Sequence, residues 1–310
     1  MRIVIVGQGP FAEKVLEALT QKGEEIVGVF TLPDKRGDPV ADLGQKLGIP
    51  VFRPKRMKDP EVYDLYKKLN PDLVILAFVT DIIPEKLLTI PTRGTICYHP
   101  SLLPRHRGAS GIHWAIIQGD QRTGLTIFWA DRGIDTGPIL LQKEVEIKPE
   151  DTTGSLYFNT LFPMGVEAIV EAVGLIKEGK APRIPQDESK ATYEPPCDDR
   201  VAQIDFTQPL LEIYNLIRGC DPQPGAFAFF KGMKVRFYEA RMIPQYTEIP
   251  PGEIVSIGEE GLMISAHGGL IQVRKMRGDK GEKMEAIEFA QHVGLKVGDR
   301  IDKEQKKEMP

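Results

Sequence analysis

The sequence predicts an α/β protein, a mostly parallel, doubly wound sheet with helices on both faces, followed by a smaller all-β domain. Three observations carry this. From Arg2 to about Lys143, short apolar runs alternate with amphipathic stretches, the pattern of strands joined by crossover helices. Thr152–Lys177 then carries apolar residues at helical spacing. Beyond about Arg200, short strand-like runs punctuated by glycine take over, as in a small barrel or sandwich.

Strands are expected at Ile3–Val6, Glu25–Phe30, Pro50–Phe52, Asp72–Ala77, Thr95–Tyr98 and Leu125–Trp129, with a further strand at Ile139–Ile147. Helices fall between them at Phe11–Lys22, Val40–Leu47, Pro60–Leu69 and Ile112–Gln118. Pro60 followed by Glu61 is a good helix start, since proline suits the first turn and an acid complements the helix dipole. Pro163 lies inside the long helix and should kink it. Gly179 to about Arg200 is rich in proline, charge and polar residues and reads as a linker crossing the surface. A helix over Leu210–Arg218 precedes strands at Ala226–Phe230, Lys234–Tyr238, Gly252–Ile257, Leu262–Ser265 and Gly269–Met276. The tail from Asp302 is charged and expected to fray.

The 310 residues suffice for a full core and two domains. A net charge of −4 argues against a protein dominated by phosphate contacts. Cys97, Cys197 and Cys220 are far apart, which disfavours a disulfide framework or a zinc site and suits a reducing cytoplasm. The chain starts directly in a strand, so no signal peptide is expected. No apolar run looks long enough to span a membrane.

His99 is the most informative residue. It stands where the strand Thr95–Tyr98 meets a basic loop ending at Gly108. Pro100 pushes the residue before it to extended geometry, and Pro104 keeps the loop from winding up. A loop histidine can simply satisfy a neighbouring backbone group, so a partner from another strand end has to decide its role. Ligands of open α/β sheets bind outside the carboxyl ends of the strands, near the point where the winding reverses. Four loops meet that description: Gly7–Ala12, Phe78–Pro84, His99–Gly108 and Asp131–Gly137. Asp135, in the last, either caps its turn or faces inward beside His99. A carboxylate there would favour the imidazolium and orient the ring for proton transfer.

Gly7-Gln-Gly9-Pro-Phe-Ala12 fits a loose dinucleotide fingerprint. The second strand lacks an acid at its end, and the first beyond is Asp34, so the glycines read as a structural turn and no nicotinamide cofactor is expected. His99, His106 and His113 recur every seven residues, but Pro104 and Gly108 prevent one helix from carrying all three, and no metal is expected. Arg105 and Arg107 either grip an anionic substrate or hold backbone carbonyls behind the site.

Taken together, His99-Pro-Ser-Leu-Leu-Pro-Arg-His-Arg-Gly-Ala109 and Asp131-Arg-Gly-Ile-Asp135-Thr-Gly137 resemble the 10-formyltetrahydrofolate-dependent formyltransferase family. That family includes methionyl-tRNA formyltransferase and the hydrolase domain of 10-formyltetrahydrofolate dehydrogenase. The likeness runs over nearly the whole chain, including Ile217-Arg-Gly and Pro224-Gly-Ala226. It implies a Rossmann-like catalytic domain over residues 1–180 that binds the formyl-folate, a linker over 181–204 and an OB-like β domain over 205–310. It places the catalytic pair on His99 and Asp135. Asp81, Ile82 and Ile83 fall where the family contacts folate, and Phe78, Ser101, Leu102, Asp131 and Gly133 join them as candidate folate or substrate contacts. Arg105 and Arg107 would stand behind these.

Phe128-Trp-Ala-Asp131, Leu141-Gln-Lys-Glu144, Leu161-Phe-Pro163 and Glu178-Gly-Lys-Ala-Pro-Arg183 look most like the hydrolase branch. Transferases of the family usually carry an asparagine where Cys97 stands. A thiol is a weak hydrogen-bond donor, so Cys97 is either a diminished oxyanion position or an acyl-accepting nucleophile. The loop Thr31–Asp38 is short and balanced in charge, and residues 205–310 hold 15 Lys and Arg against 16 Asp and Glu, a net of −1. A tRNA-gripping surface would be basic. The resemblance therefore implies formyl transfer from 10-formyltetrahydrofolate to water, giving formate and tetrahydrofolate. An amine acceptor comes second, first methionyl-tRNA and then an amino sugar. A catalytically silent folate-binding module is the reading from a different class. The aldehyde-oxidising domain of the dehydrogenase is not expected, since no sequence follows the small β domain.

Overall fold

The structure, a computed structural model, describes residues 1–32 and 37–302; Asp34 and the tail at 303–310 lie outside the described residues. The chain divides into two compact units. One comprises Met1–Gly108, Gly124–Val145 and Phe158–Tyr193; the other comprises Ala109–Thr123, Glu146–Tyr157 and Glu194–Pro310.

The elements begin β1 (Arg2–Gly7), α1 (Gly9–Gln21), β2 (Glu25–Phe30), α2 (Pro39–Lys46), β3 (Val51–Phe52), α3 (Pro60–Leu69) and β4 (Leu73–Ala77). They continue with α4 (Glu85–Leu88), β5 (Thr95–His99), α5 (Gly111–Ile117), β6 (Arg122–Trp129), β7 (Ile139–Glu146) and α6 (Thr153–Leu156). A π-helical turn at Tyr157–Leu161 leads into α7 (Phe162–Lys177), and a 3-10 turn covers Glu188–Lys190. Then come α8 (Leu210–Gly219), β8 (Ala226–Phe230), β9 (Met233–Ile243), β10 (Ile254–Gly258), β11 (Gly261–Ala266), β12 (Gly269–Arg277), β13 (Met284–Glu285) and α9 (Ala286–Val293).

In the first unit the strand order is β3-β2-β1-β4-β5-β6-β7. β1 pairs in parallel with β2 and β4, β2 with β3, and β4 with β5, whereas β6 runs antiparallel to β5. The winding reverses between β1 and β4, which places the crevice at their carboxyl ends. Both faces are buried. Ile3, Ile5, Leu73 and Ile75 join one apolar cluster, while Val4, Val6, Val74 and Leu76 join the other. Strands buried on both sides read as continuous apolar runs, which is what made them legible. The alternation along β5 sends Ile96 and Tyr98 to the first cluster and Cys97 to the second, and His99 follows Cys97.

The expected kink at Pro163 takes the form of a π turn just ahead of it. Proline has no N–H to continue the ladder and sits in the first turn of α7. Helix Thr153–Lys177 is 25 residues long and contains an 18-residue stretch with a mean hydropathy of 1.3, long and apolar enough to cross a membrane. This corrects the expectation from the sequence. Ala168, Ile169, Ala172, Val173 and Ile176 of α7 are buried against Phe11, Val15 and Leu16 of α1 in the first cluster, as in a core helix.

The second unit is built on an antiparallel sheet in the order β10-β11-β12-β9-β8, with β13 added beside β12. Residues 299–302 bridge its two ends. Ile254 N–H donates to Asp299 O, Ile301 N–H donates to Gly252 O, and Phe229 and Asp302 exchange both backbone hydrogen bonds at 2.8 Å. This closure gives the sheet a barrel-like path, as expected of an OB-like domain. α8 and α9 pack on it through Ile213, Ile217, Ala286, Phe289 and Ala290.

Gly137 opens the approach to β7. A β-carbon there would fall on the Trp129 carbonyl. Gly137→Ala is therefore expected to destabilise the protein by about 1–3 kcal/mol in urea denaturation. Gly174→Ala, where an added β-carbon meets nothing within 4 Å, should hold or raise stability.

Candidate active site

His99 closes β5 and is only 5% exposed. Its Nε2 lies 2.7 Å from the His106 carbonyl oxygen. A carbonyl can only accept, so Nε2 carries the proton and Nδ1 is the nitrogen left to exchange one. Nδ1 faces Asp135 Oδ2 at 3.6 Å, and both side chains are largely shielded. That separation exceeds a direct hydrogen bond. The same Oδ2 accepts from the Gly108 N–H at 2.7 Å. Three elements thus meet at one point: the end of β5, the loop after it, and the Asp131–Gly137 turn.

Asp135 arrives by an unexpected route. Its loop was placed at the carboxyl edge of the sheet with the others, but β6 runs antiparallel, so Trp129 pairs with Ile96 and not with His99. The loop leaves from roughly 10 Å down β5, at about 3.3 Å per residue, and doubles back. Asp135 is held at φ +56°, a left-handed conformation uncommon for a non-glycine residue. Phe78 and His106 share that conformation, at φ +62° and +55°. Non-glycine residues in this region concentrate where surrounding structure over-determines the backbone.

Both sides of the His99 loop are anchored. Thr126 Oγ1 donates to Ser101 O at 2.7 Å and accepts from Leu103 N–H at 3.1 Å and Gln142 Nε2 at 2.9 Å. Gln142 Nε2 also donates to Leu103 O at 2.8 Å. Ser101 is buried and donates to Arg105 O at 2.7 Å, while Leu102 packs over Gly124. On the other side, His106 and Arg107 N–H donate to Thr192 Oγ1 and Thr192 O.

Arg107 is almost fully buried, and its guanidinium is fully engaged. Nε and Nη2 donate to Gln186 Oε1 at 3.2 and 2.7 Å, Nη2 and Nη1 to Glu188 at 2.6 and 2.9 Å, and Nη1 to Tyr193 Oη at 2.6 Å. These use all five donors of the side chain, so none is left to grip a substrate. The bonds to Glu188 raise its pKa further. Residues 184–193, expected to cross the surface as linker, are instead tied to the site. Ile184 bridges Ile139 of β7, and Tyr193 bridges Arg107. The polar side chains that made this stretch look like a linker are the ones that anchor it. Gln186, Thr192, Thr126 and Gln142 carried no signal in the sequence beyond their polarity.

The other sequence-selected residues occupy the rim. Phe78 directly follows β4 at 49% exposure, and Ile82 stands 75% exposed. Asp81 accepts from Met57 N–H at 2.8 Å and Ile82 N–H at 3.0 Å, which fixes the loop that also carries Ile83. Gln8 ties it to β1, donating from its N–H to Phe78 O and accepting from Thr80 Oγ1 at 2.8 Å. Asp131 caps its own turn through Gly133 N–H and Thr136 Oγ1, and Gly133 leaves room for Thr136. Arg105 stands at the exposed tip of its loop. Burial, and then the nearby charge of Asp135, push the Cys97 thiol pKa up. Among the described residues, no cluster of three or more His, Cys, Asp or Glu is arranged to hold a metal.

A family model described as "Formyl transferase" matches residues 1–173, and one described as "Formyl transferase, C-terminal domain" matches residues 198–294. The mouse mitochondrial 10-formyltetrahydrofolate dehydrogenase is 42% identical over 306 residues, 93% of this chain and 33% of the relative. The chain spans about a third of the length of the dehydrogenases it matches. Methionyl-tRNA formyltransferase of Alkaliphilus oremlandii is 34% identical over 311 residues, covering 98% of each chain. Among solved structures, HypX from Aquifex aeolicus in complex with tetrahydrofolic acid superposes with a TM-score of 0.72 at 21% identity, over 96% of this chain and 48% of that one. At that identity the likeness speaks for the fold alone.

Proposed function

Because this chain belongs to the formyl transferase family, we propose that it is an enzyme that removes the formyl group of 10-formyltetrahydrofolate, with water as the acceptor, releasing formate and tetrahydrofolate. The observation that carries the chemistry is the pair of buried His99 and half-buried Asp135, with one imidazole nitrogen already committed to a backbone carbonyl.

An N-formyl group is an amide-like acyl donor, and attack by water passes through a tetrahedral intermediate whose oxygen gathers negative charge. His99 bears its exchangeable proton at Nδ1. There it hydrogen-bonds the developing oxyanion and then protonates the departing nitrogen of the folate. Asp135, facing Nδ1, is the counter-ion of the protonated ring, and its carboxylate orients the attacking water and takes the proton that water gives up as the C–O bond forms. Gly108 N–H, on Oδ2, fixes that carboxylate in place. The exposed apolar side chains of Phe78 and Ile82 lie on the rim of the β1/β4 crevice, where a flat heteroaromatic ring would be covered. Water as acceptor is favoured by the higher identity to the dehydrogenases than to the tRNA enzyme. The near-neutral charge of residues 205–310 points the same way.

The test is direct. Purified protein is given 10-formyltetrahydrofolate alone, and tetrahydrofolate and formate are measured. Methionyl-tRNA or an amino-sugar nucleotide is then added. Turnover with folate alone supports the water reading. Turnover only with an amine transfers the proposal to that acceptor, and none under any condition ends it.

Cys97 is not the nucleophile in this account, because its raised pKa keeps the thiol protonated at neutral pH. Cys97→Ala is expected to retain kcat within about threefold, measured as tetrahydrofolate release. Loss of turnover together with a formyl thioester on the wild-type protein would reverse this assignment.

A further inference from the structure

We propose that Gln186 is a positioning residue for the formyl-transfer chemistry, locking the Asp135 turn to Arg107 so that the carboxylate faces His99. This rests on the catalytic reading of His99 and Asp135 above.

Gln186 sits between two incompatible surfaces. On one side are two guanidinium donors of Arg107, at 3.2 and 2.7 Å from Oε1. On the other are the backbone carbonyls of Asp135 and Gly137, at 2.8 and 2.7 Å from Nε2. Only a side chain with an acceptor at one corner and two N–H groups at the other meets both, and only one orientation of the amide does so. All four bonds lie within the first compact unit.

The carbonyl it holds belongs to the residue that needs holding. Asp135 sits at φ +56°, and its loop doubles back to reach His99. Among the described residues, the N–H that grips its carboxylate is that of Gly108. Gln186 grips the backbone at Asp135 and two residues on, and so fixes the turn from behind. Arg107, its other partner, is adjacent in the chain to Gly108 and to His106, whose carbonyl accepts the hydrogen bond from His99 Nε2. One amide thus links the segment that orients the imidazole to the segment that presents the carboxylate. A displacement of about 1 Å at such a pair can cost on the order of 100-fold in rate.

Gln186→Glu separates the two halves of this role. It keeps an acceptor for Arg107 but presents oxygens, not N–H groups, to the two carbonyls. Gln186→Ala removes both halves. Two readouts are needed. The first is kcat and KM for tetrahydrofolate release. The second is the Gly108 amide resonance in a ¹H–¹⁵N spectrum, which reports its bond to the Asp135 carboxylate whether or not the protein turns over. Both variants are expected to lose about 10–100-fold in kcat with KM within about threefold. In both, the Gly108 amide should move toward its position in Asp135→Ala. A Gln186→Glu protein with wild-type kcat, or an unmoved Gly108 amide, overturns the proposal. Should the wild type itself show no turnover with any acceptor, the catalytic reading fails, while the Gly108 amide still decides whether Gln186 holds Asp135.

Discussion

His99→Ala is expected to lower kcat for tetrahydrofolate release by a factor of about 10²–10⁴, the usual span for removing a positioned general acid or base. The loss follows from the ring's bonding. Nε2 holds the ring on the His106 carbonyl and Nδ1 is the nitrogen opposite Asp135, so the substitution removes the proton donor together with the bond that aims it. The substitution also strips a buried carbonyl of its donor, which costs about 1–3 kcal/mol of stability. Folate binding and the unfolding midpoint should therefore be recorded beside kcat. A folded, folate-binding protein that no longer turns over is the expected outcome. Full activity would show that the imidazole does no chemistry here.

Asp135→Asn probes charge with little change of shape. The amide oxygen can still accept from Gly108 N–H, so the loop should remain in place. Without the negative charge, the imidazolium loses its nearby counter-ion and water loses an acceptor for its proton. We expect a loss of about 10² or more in kcat, read in the same assay, with folate affinity little changed. The Cys97 thiol offers an independent check. Its pKa is held up first by burial and second by the Asp135 charge, so Asp135→Asn should let it fall and speed its reaction with a thiol reagent at alkaline pH.

Much of this site was legible because local rules constrain it. A histidine before proline at the end of an apolar strand is extended and aimed past the sheet edge, and His99 is there. The strands β1 and β4 are buried on both faces and read as unbroken apolar runs. Strand direction is another matter. An alternating pattern over Leu125–Trp129 is the same for a parallel or an antiparallel neighbour, so the route by which Asp135 reaches His99 lay in the pairing of β6 with β5. The same limit applied in the second unit. The strand expected to stop at Tyr238 runs on to Ile243, because β9 keeps one register against β12 from Arg236 opposite Arg277 to Ile243 opposite Leu270, even though Glu239 between them sits at φ +52°. Helix α9 was missed among charged residues, where its buried Ala286, Phe289 and Ala290 are too few to mark a period.

Gln186 was the least legible. Its neighbours are proline, aspartate and glutamate, and polar stretches of that kind usually are surface linkers. Its role exists only because Arg107, some eighty positions earlier in the chain, folds beneath it. The resemblance to a family supplied the catalytic pair but gave no hint of what holds it.

The most direct test of the account is a double-variant cycle on His99 and Asp135, with kcat for tetrahydrofolate release measured for wild type, His99→Ala, Asp135→Asn and the pair. Residues that serve one proton transfer are strongly non-additive. The predicted result is that the double variant is no slower than the worse single variant. Losses that multiply would mean that the imidazole and the carboxylate act independently, and would contradict the account.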